Sequence, residues 1–176
     1  MFAFLFFILS VGLGYLFAKS SPEEVKKILE QLRIVLEPLQ QMTRLQQVFF
    51  IFLNNSLTGF LAILLGVIIG LFPLLTLFAN GEMLGVLIFF SKENLPLSEF
   101  FTGIFPHGII EIPVLLLCGA MGLKIGAKVL KKIFKKKENI QEEIKLALSF
   151  FFKFLIPLLF VAAIIEVFVT RELLIR

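Results

Sequence analysis

The chain has 176 residues, 59% hydrophobic and only 17% charged, with a net charge of +4. Soluble domains carry about 25% charged residues, so this composition excludes both a soluble globular domain and a disordered chain. A mean hydropathy of +0.99 leaves a helical membrane protein of about four to six crossings, at roughly 20 residues each.

Residues 2–18 form an apolar run without a basic leader, and this predicts a retained first transmembrane helix. Residues 21–47 are polar. Ser21-Pro22-Glu23-Glu24 has the form of a helix start, with Ser21 as N-cap and Glu24 as capping-box partner. Apolar residues then recur from Val25 through Leu45 at helical spacing, which predicts an amphipathic cytoplasmic helix kinked or divided at Pro38. Residues 48–72 form the next span. Asn54-Asn55-Ser56 and Thr58 interrupt it, and Pro73 follows it.

Asn80-Gly81-Glu82 has turn composition, and the apolar stretch after it ends at Phe90. So short a helix covers less than half of a hydrocarbon core, so residues 81–90 read as a re-entrant or interfacial half-helix. Residues 99–123 form a further span, 124–145 a basic connector, and 146–169 the last span. Residues 19–47 hold five Lys or Arg and residues 124–145 hold eight. Both are expected in the cytoplasm, with an even number of crossings between them. The expected architecture is all-α and polytopic in the cell membrane. It has about four spans, one half-helix and an amphipathic cytoplasmic helix, in a single membrane domain covering residues 1–176.

Ionisable groups inside spans cost roughly 3 kcal/mol each on insertion scales, so they stand out as candidates for function. His107, Glu111 and Glu166 are the three here; Lys153 can snorkel to a face. His107 and Glu111 are four apart and share a helix face. With residues 48–72 entering from the cytoplasm and 99–123 from outside, Asn54 and Glu111 fall near one depth. A buried polar layer follows, in which Glu111 meets an Asn while His107 faces Glu166 or the Asn80 turn. The other eleven glutamates are assigned to loops, helix ends or the cytoplasmic arm.

Three functions fit such a layer. Mutually satisfied groups fixing helix register would make the protein a scaffold. A path or site for a lipid, ion or small solute would make it a transport component. His107, Glu111 and Glu166 are weak candidates for a metal-dependent hydrolase, which usually needs three protein ligands. Without Asp there is no Ser-His-Asp triad, and no phosphate loop or dinucleotide fingerprint is present. Nothing points to a cofactor or to nucleic acid; the basic pI near 9.3 suits topogenic lysines and anionic lipid. Cys118 is alone, so it has no internal disulfide partner, and it reads as a packing residue.

Gly66 with Gly70, Gly81 with Gly85 and Gly122 with Gly126 are small-xxx-small pairs. Together with Gly119 and the amphipathic arm they are too many for one small chain to bury, which predicts a homodimer.

Phe52-Leu53-Asn54-Asn55, Gly66 and Gly70, Asn80-Gly81 with Gly85, Pro106-His107-Gly108-x-x-Glu111, Gly119 and Gly122, and Ala162-Ala163-x-x-Glu166 occur in that order. This ordered set resembles the stage II sporulation protein M family over about residues 48–170. The resemblance implies a polytopic helical membrane protein of bacteria and archaea. In spore formers the family member is a membrane partner of peptidoglycan-degrading proteins during engulfment. It also implies that Asn54, Asn55, Asn80, Gly81, Pro106, His107, Gly108, Glu111 and Glu166 belong to one shared site. The leading expectation is a membrane scaffold or partner-binding component without catalysis of its own, in contact with the lipid bilayer and with protein partners.

Overall fold

The computed structural model describes residues 1–94, 97–134 and 137–170, and within these it is all-helical. Seven α-helices run in order: α1 (Phe2–Ser20), α2 (Pro22–Gln41), α3 (Arg44–Leu64), α4 (Leu71–Asn94), α5 (Leu97–Ile133), α6 (Ile140–Phe150) and α7 (Ile156–Ile165). A π-helical turn at Phe151–Leu155 joins α6 to α7, and another at Glu166–Thr170 follows α7. Pro157 lies just beyond the first. Its ring would clash with the carbonyl four residues back, and the wider π turn makes room for it. Among the described residues, five helical stretches are long and apolar enough to cross a membrane: Phe2–Ser20, Arg44–Val67, Leu71–Ser91, Gly108–Ile133 and Ile140–Phe168.

The expected half-helix at 81–90 is instead the second half of the continuous helix α4. Pro73 sits in the first turn of α4, where its missing N–H costs nothing, so it starts that helix rather than breaking one. The reversal of the chain lies earlier, in the 3-10 turn Leu65–Val67 and at Ile69 and Gly70, whose φ angles are +53° and +76°. Gly70 tolerates that conformation; Ile69, β-branched, is strained there. Ile69 is half-exposed and gives up little packing. Ile69→Gly should therefore raise stability by about 1 kcal/mol, read from denaturant unfolding in detergent.

The break after α2 also moves. The helix runs through Pro38 and ends at Gln41, because Thr43 caps α3. The Gln46 amide N–H donates to Thr43 Oγ1 at 3.4 Å, and the Thr43 N–H donates to Gln46 Oε1 at 2.9 Å. Gln47 ties off the α2 end by donating Nε2 to the Leu39 carbonyl at 2.8 Å. No such box forms at Ser21, whose amide instead closes α1 by donating to the Phe17 carbonyl at 2.9 Å.

Contacts fix the helix directions. Phe7 packs with Leu77, Ser10 abuts Gly81, and Ala18 packs with Phe89, so α1 and α4 run parallel. Gly59 meets Cys118, Gly66 meets Gly122 and Gly70 meets Gly126, so α3 and α5 are also parallel. Leu77 against Gly119 and Pro73 against Gly122 make α4 antiparallel to α5. Val48 packs with Ala163 and Val167 while Gly59 meets Phe151, so the last helix opposes α3.

Two expectations change as a result. The described parts of 19–47 and 124–145 lie at opposite ends of the bundle, not at one face, because α4 runs the full length between them. The glycine pairs are used inside one chain, which removes the motive they gave for a homodimer. An added Cβ at Gly14 would meet the Glu82 backbone, at Gly85 the amide nitrogen of Tyr15 at 2.7 Å, and at Gly126 the Gly70 Cα at 2.6 Å.

The basic connector is largely helical as well. α5 continues through Lys124, Lys128 and Lys131, which share one face and pair with acids at and beyond the turn. Glu143 bridges Lys124 at 2.7 Å and Lys128 at 2.8 Å, and Glu138 lies 3.9 Å from Lys131. Glu143→Ala should loosen this clasp by about 1 kcal/mol and flatten the salt dependence of stability, checked by unfolding at low and high ionic strength.

A candidate intramembrane binding site

Five polar residues of the spans converge where α3, α4, α5 and α7 meet. Asn54, Asn55 and Thr58 come from one face of α3, and Asn80 comes from α4. Glu111, Val114, Leu115 and Cys118 come from α5 at i, i+3, i+4 and i+7. With Gly59 and Leu159 they line a cavity of about 270 Å³. Gly59 keeps the floor open: a Cβ there would come within 3.0 Å of both Cys118 Sγ and the Phe151 ring. Asn80 is about 14 Å along α4 at 1.5 Å per residue, near the middle of a roughly 30 Å core.

The carboxylate of Glu111 accepts a hydrogen bond from the Asn55 side chain. Asn54 Nδ2 in turn donates to Asn55 Oδ1 at 3.3 Å. Thr58 Oγ1 donates to the Asn54 carbonyl at 2.9 Å, and Asn80 Nδ2 donates to the Thr76 carbonyl at 2.8 Å. These local bonds leave the Asn80 Oδ1 acceptor and the second Glu111 oxygen as further acceptor capacity at the cavity wall. Glu166 is close enough to Glu111 for their charges to interact, and it opens the second π-helical turn. Such turns recur at functional sites.

Glu111 thus meets an Asn, but by a different route from the depth argument, since α3 and α5 run parallel instead of antiparallel. Gly81 does not line the cavity; it sits under α1, where an added Cβ would meet Ser10 Cβ at 2.7 Å. Gly108 lines a neighbouring space. The side chains of Pro106 and His107 lie outside the described residues, and so does any pairing of His107 with Glu166. Among the described residues no group of three His, Cys, Asp or Glu is placed to hold a metal ion.

Sequence reasoning missed two kinds of residue. Thr58, Cys118 and Leu159 line the cavity, and helical spacing from Asn54 and Glu111 is the signal that finds the first two. Glu82, assigned to a turn, is a half-buried acid in mid-span, with its backbone against Gly14.

No solved structure matches the chain. An uncharacterized protein of Methanocaldococcus jannaschii is 38% identical over 125 residues, covering 68% of each chain. The model of the family described as Stage II sporulation protein M matches residues 3–171, nearly the whole length. By that match and that relative, the chain belongs to the stage II sporulation protein M family.

Proposed function

We propose that the protein is a transport or ligand-handling component of the cell membrane, without catalysis of its own. Its site would be the Asn54–Asn55–Asn80–Glu111 cavity. The single observation supporting this is the space itself. Here three amides, a hydroxyl and a carboxylate surround about 270 Å³ instead of closing on one another as a scaffold's would, and Asn54 and Asn80 are exposed, so the space opens at the surface of the bundle. The preferred ligand group is cationic or a neutral hydrogen-bond donor, because carboxylates set the charge and no Lys or Arg lines the wall among the described residues. The lysine-rich end, residues 124–145, is the cytoplasmic one in this proposal, which puts α2 at the opposite face.

Cysteine accessibility tests it. In a Cys118→Ala background, Thr58→Cys faces the cavity, while Leu57→Cys faces outward, where Leu57 is 58% exposed. Thr58→Cys should react with 2-aminoethyl methanethiosulfonate at least tenfold faster than Leu57→Cys in phosphatidylcholine nanodiscs. Equal, negligible rates would mean a closed polar interface and would return the protein to the scaffold class.

A further inference from the structure

A second cavity, of about 160 Å³, adjoins the first. Asn80, Glu111 and Leu115 line both spaces. The remaining lining of the second is almost wholly apolar, from Phe7 on α1, Met83, Leu84 and Leu87 on α4, and Ile112 on α5. Leu87 is 37% exposed, so this space reaches the lipid-facing surface of the bundle. The α4–α5 seam therefore carries a polar space and an apolar space side by side, with one amide and one carboxylate lining both.

We infer that the ligand is an amphiphile: a lipid whose uncharged or cationic, donor-bearing head occupies the polar chamber and whose chain leaves through the apolar one. The inference rests on the binding reading above and adds the tail. An apolar cavity of about 150 Å³ holds a benzene-sized hydrocarbon, so the second space suits the first several carbons of an acyl chain. A small hydrophilic solute would gain nothing from an apolar antechamber beside its site. An anionic head is disfavoured by Glu111, with Glu166 close behind it. Gly108 lines the α5 edge of this space and supplies no side chain to fill it.

The test uses the full chain in phosphatidylcholine nanodiscs with a monoacylglycerol bearing a diazirine in its acyl chain. Labelling should concentrate on the peptide containing Met83–Leu87. Unlabelled monoacylglycerol or a long-chain primary amine should compete, and glycerol or a fatty acid of the same length should not. Leu84→Trp and Ile112→Phe fill the apolar chamber from different helices. Each should cut labelling at least fivefold while Thr58→Cys reactivity in the polar chamber persists. If labelling spreads evenly over outward positions such as Phe50 and Leu57 and ignores both variants while Thr58→Cys still reacts, the amphiphile is overturned and the polar site stands. If Thr58→Cys is inert in the otherwise unaltered protein, both readings fall. Effective competition by the fatty acid overturns the assignment of the head.

Discussion

Gly122→Val is expected to leave a protein that inserts into membranes but no longer holds its helices together. Gly122 sits where three helices meet. A Cβ there would strike the Ala62 carbonyl on α3 and come within 3.0 Å of the Pro73 ring on α4. Across the contact, a Cβ at Gly66 would strike the Gly122 carbonyl. Neither obstacle is the flexible end of a side chain, so the helices must separate. In a membrane, helix association depends on close packing because lipid tails are as apolar as leucine. Overpacking typically costs 1–3 kcal/mol, and a two-sided clash with backbone should reach about 3 kcal/mol or more. Folding assayed by denaturant titration in mixed micelles should show this loss, with Gly122→Ala already losing more than half of it. Gly12→Ala is the control: a Cβ at Gly12 meets nothing within 4 Å, so stability should stay within about 0.5 kcal/mol or rise slightly from better helix propensity. Equal stability for Gly122→Val and Gly12→Ala would show that α3 and α5 do not cross this closely.

The same glycines show where the sequence was legible and where it was not. Small-xxx-small spacing correctly announces close helix approach, but it does not say whether the partner is another helix of the same chain. Here α1 lies along Gly81 and Gly85, and α5 along Gly66 and Gly70. Helix class and the apolar runs of α1, α3 and the last helix followed from length and hydropathy alone. Asn80-Gly81-Glu82 did not, because each residue has turn propensity, and only tertiary contact reveals its use. Gly81 lets α1 cross, Asn80 turns toward the cavity, and Glu82 remains half-buried on the α1 side. Reading that tripeptide as a turn removed one crossing. The lysine count then placed two basic segments on one side that the bundle holds at opposite ends. The cost of a buried carboxylate, by contrast, does not depend on topology. Asn54, Asn55 and Glu111 converge even though the helices carrying them run parallel, contrary to the expected direction.

Glu111 is where fold and function can be separated by experiment. Its carboxylate holds Asn55, and Asn55 holds Asn54, so the side chain has a structural role along with any ligand it meets. Glu111→Gln keeps a hydrogen-bond acceptor of the same length and removes the charge. Interhelical hydrogen bonds in membranes average about 0.6 kcal/mol, so the fold should change by no more than that. A charge-assisted hydrogen bond to a ligand is worth about 1.5–3 kcal/mol, which corresponds to roughly 10- to 100-fold in affinity. In the Thr58→Cys, Cys118→Ala background, the cationic thiosulfonate should react faster than neutral methyl methanethiosulfonate, relative to their rates with a free thiol. Glu111→Gln should erase that preference by about tenfold while both reagents still enter. Glu111→Leu should erase it too, and it should also destabilise the bundle by about 1 kcal/mol, because the Asn55 donor loses its acceptor. If Glu111→Gln leaves the cation preference intact, the carboxylate is not what the cavity presents to its ligand. If Glu111→Gln unfolds the protein, the Asn54–Asn55–Glu111 chain is a structural strut and the cavity beside it is incidental.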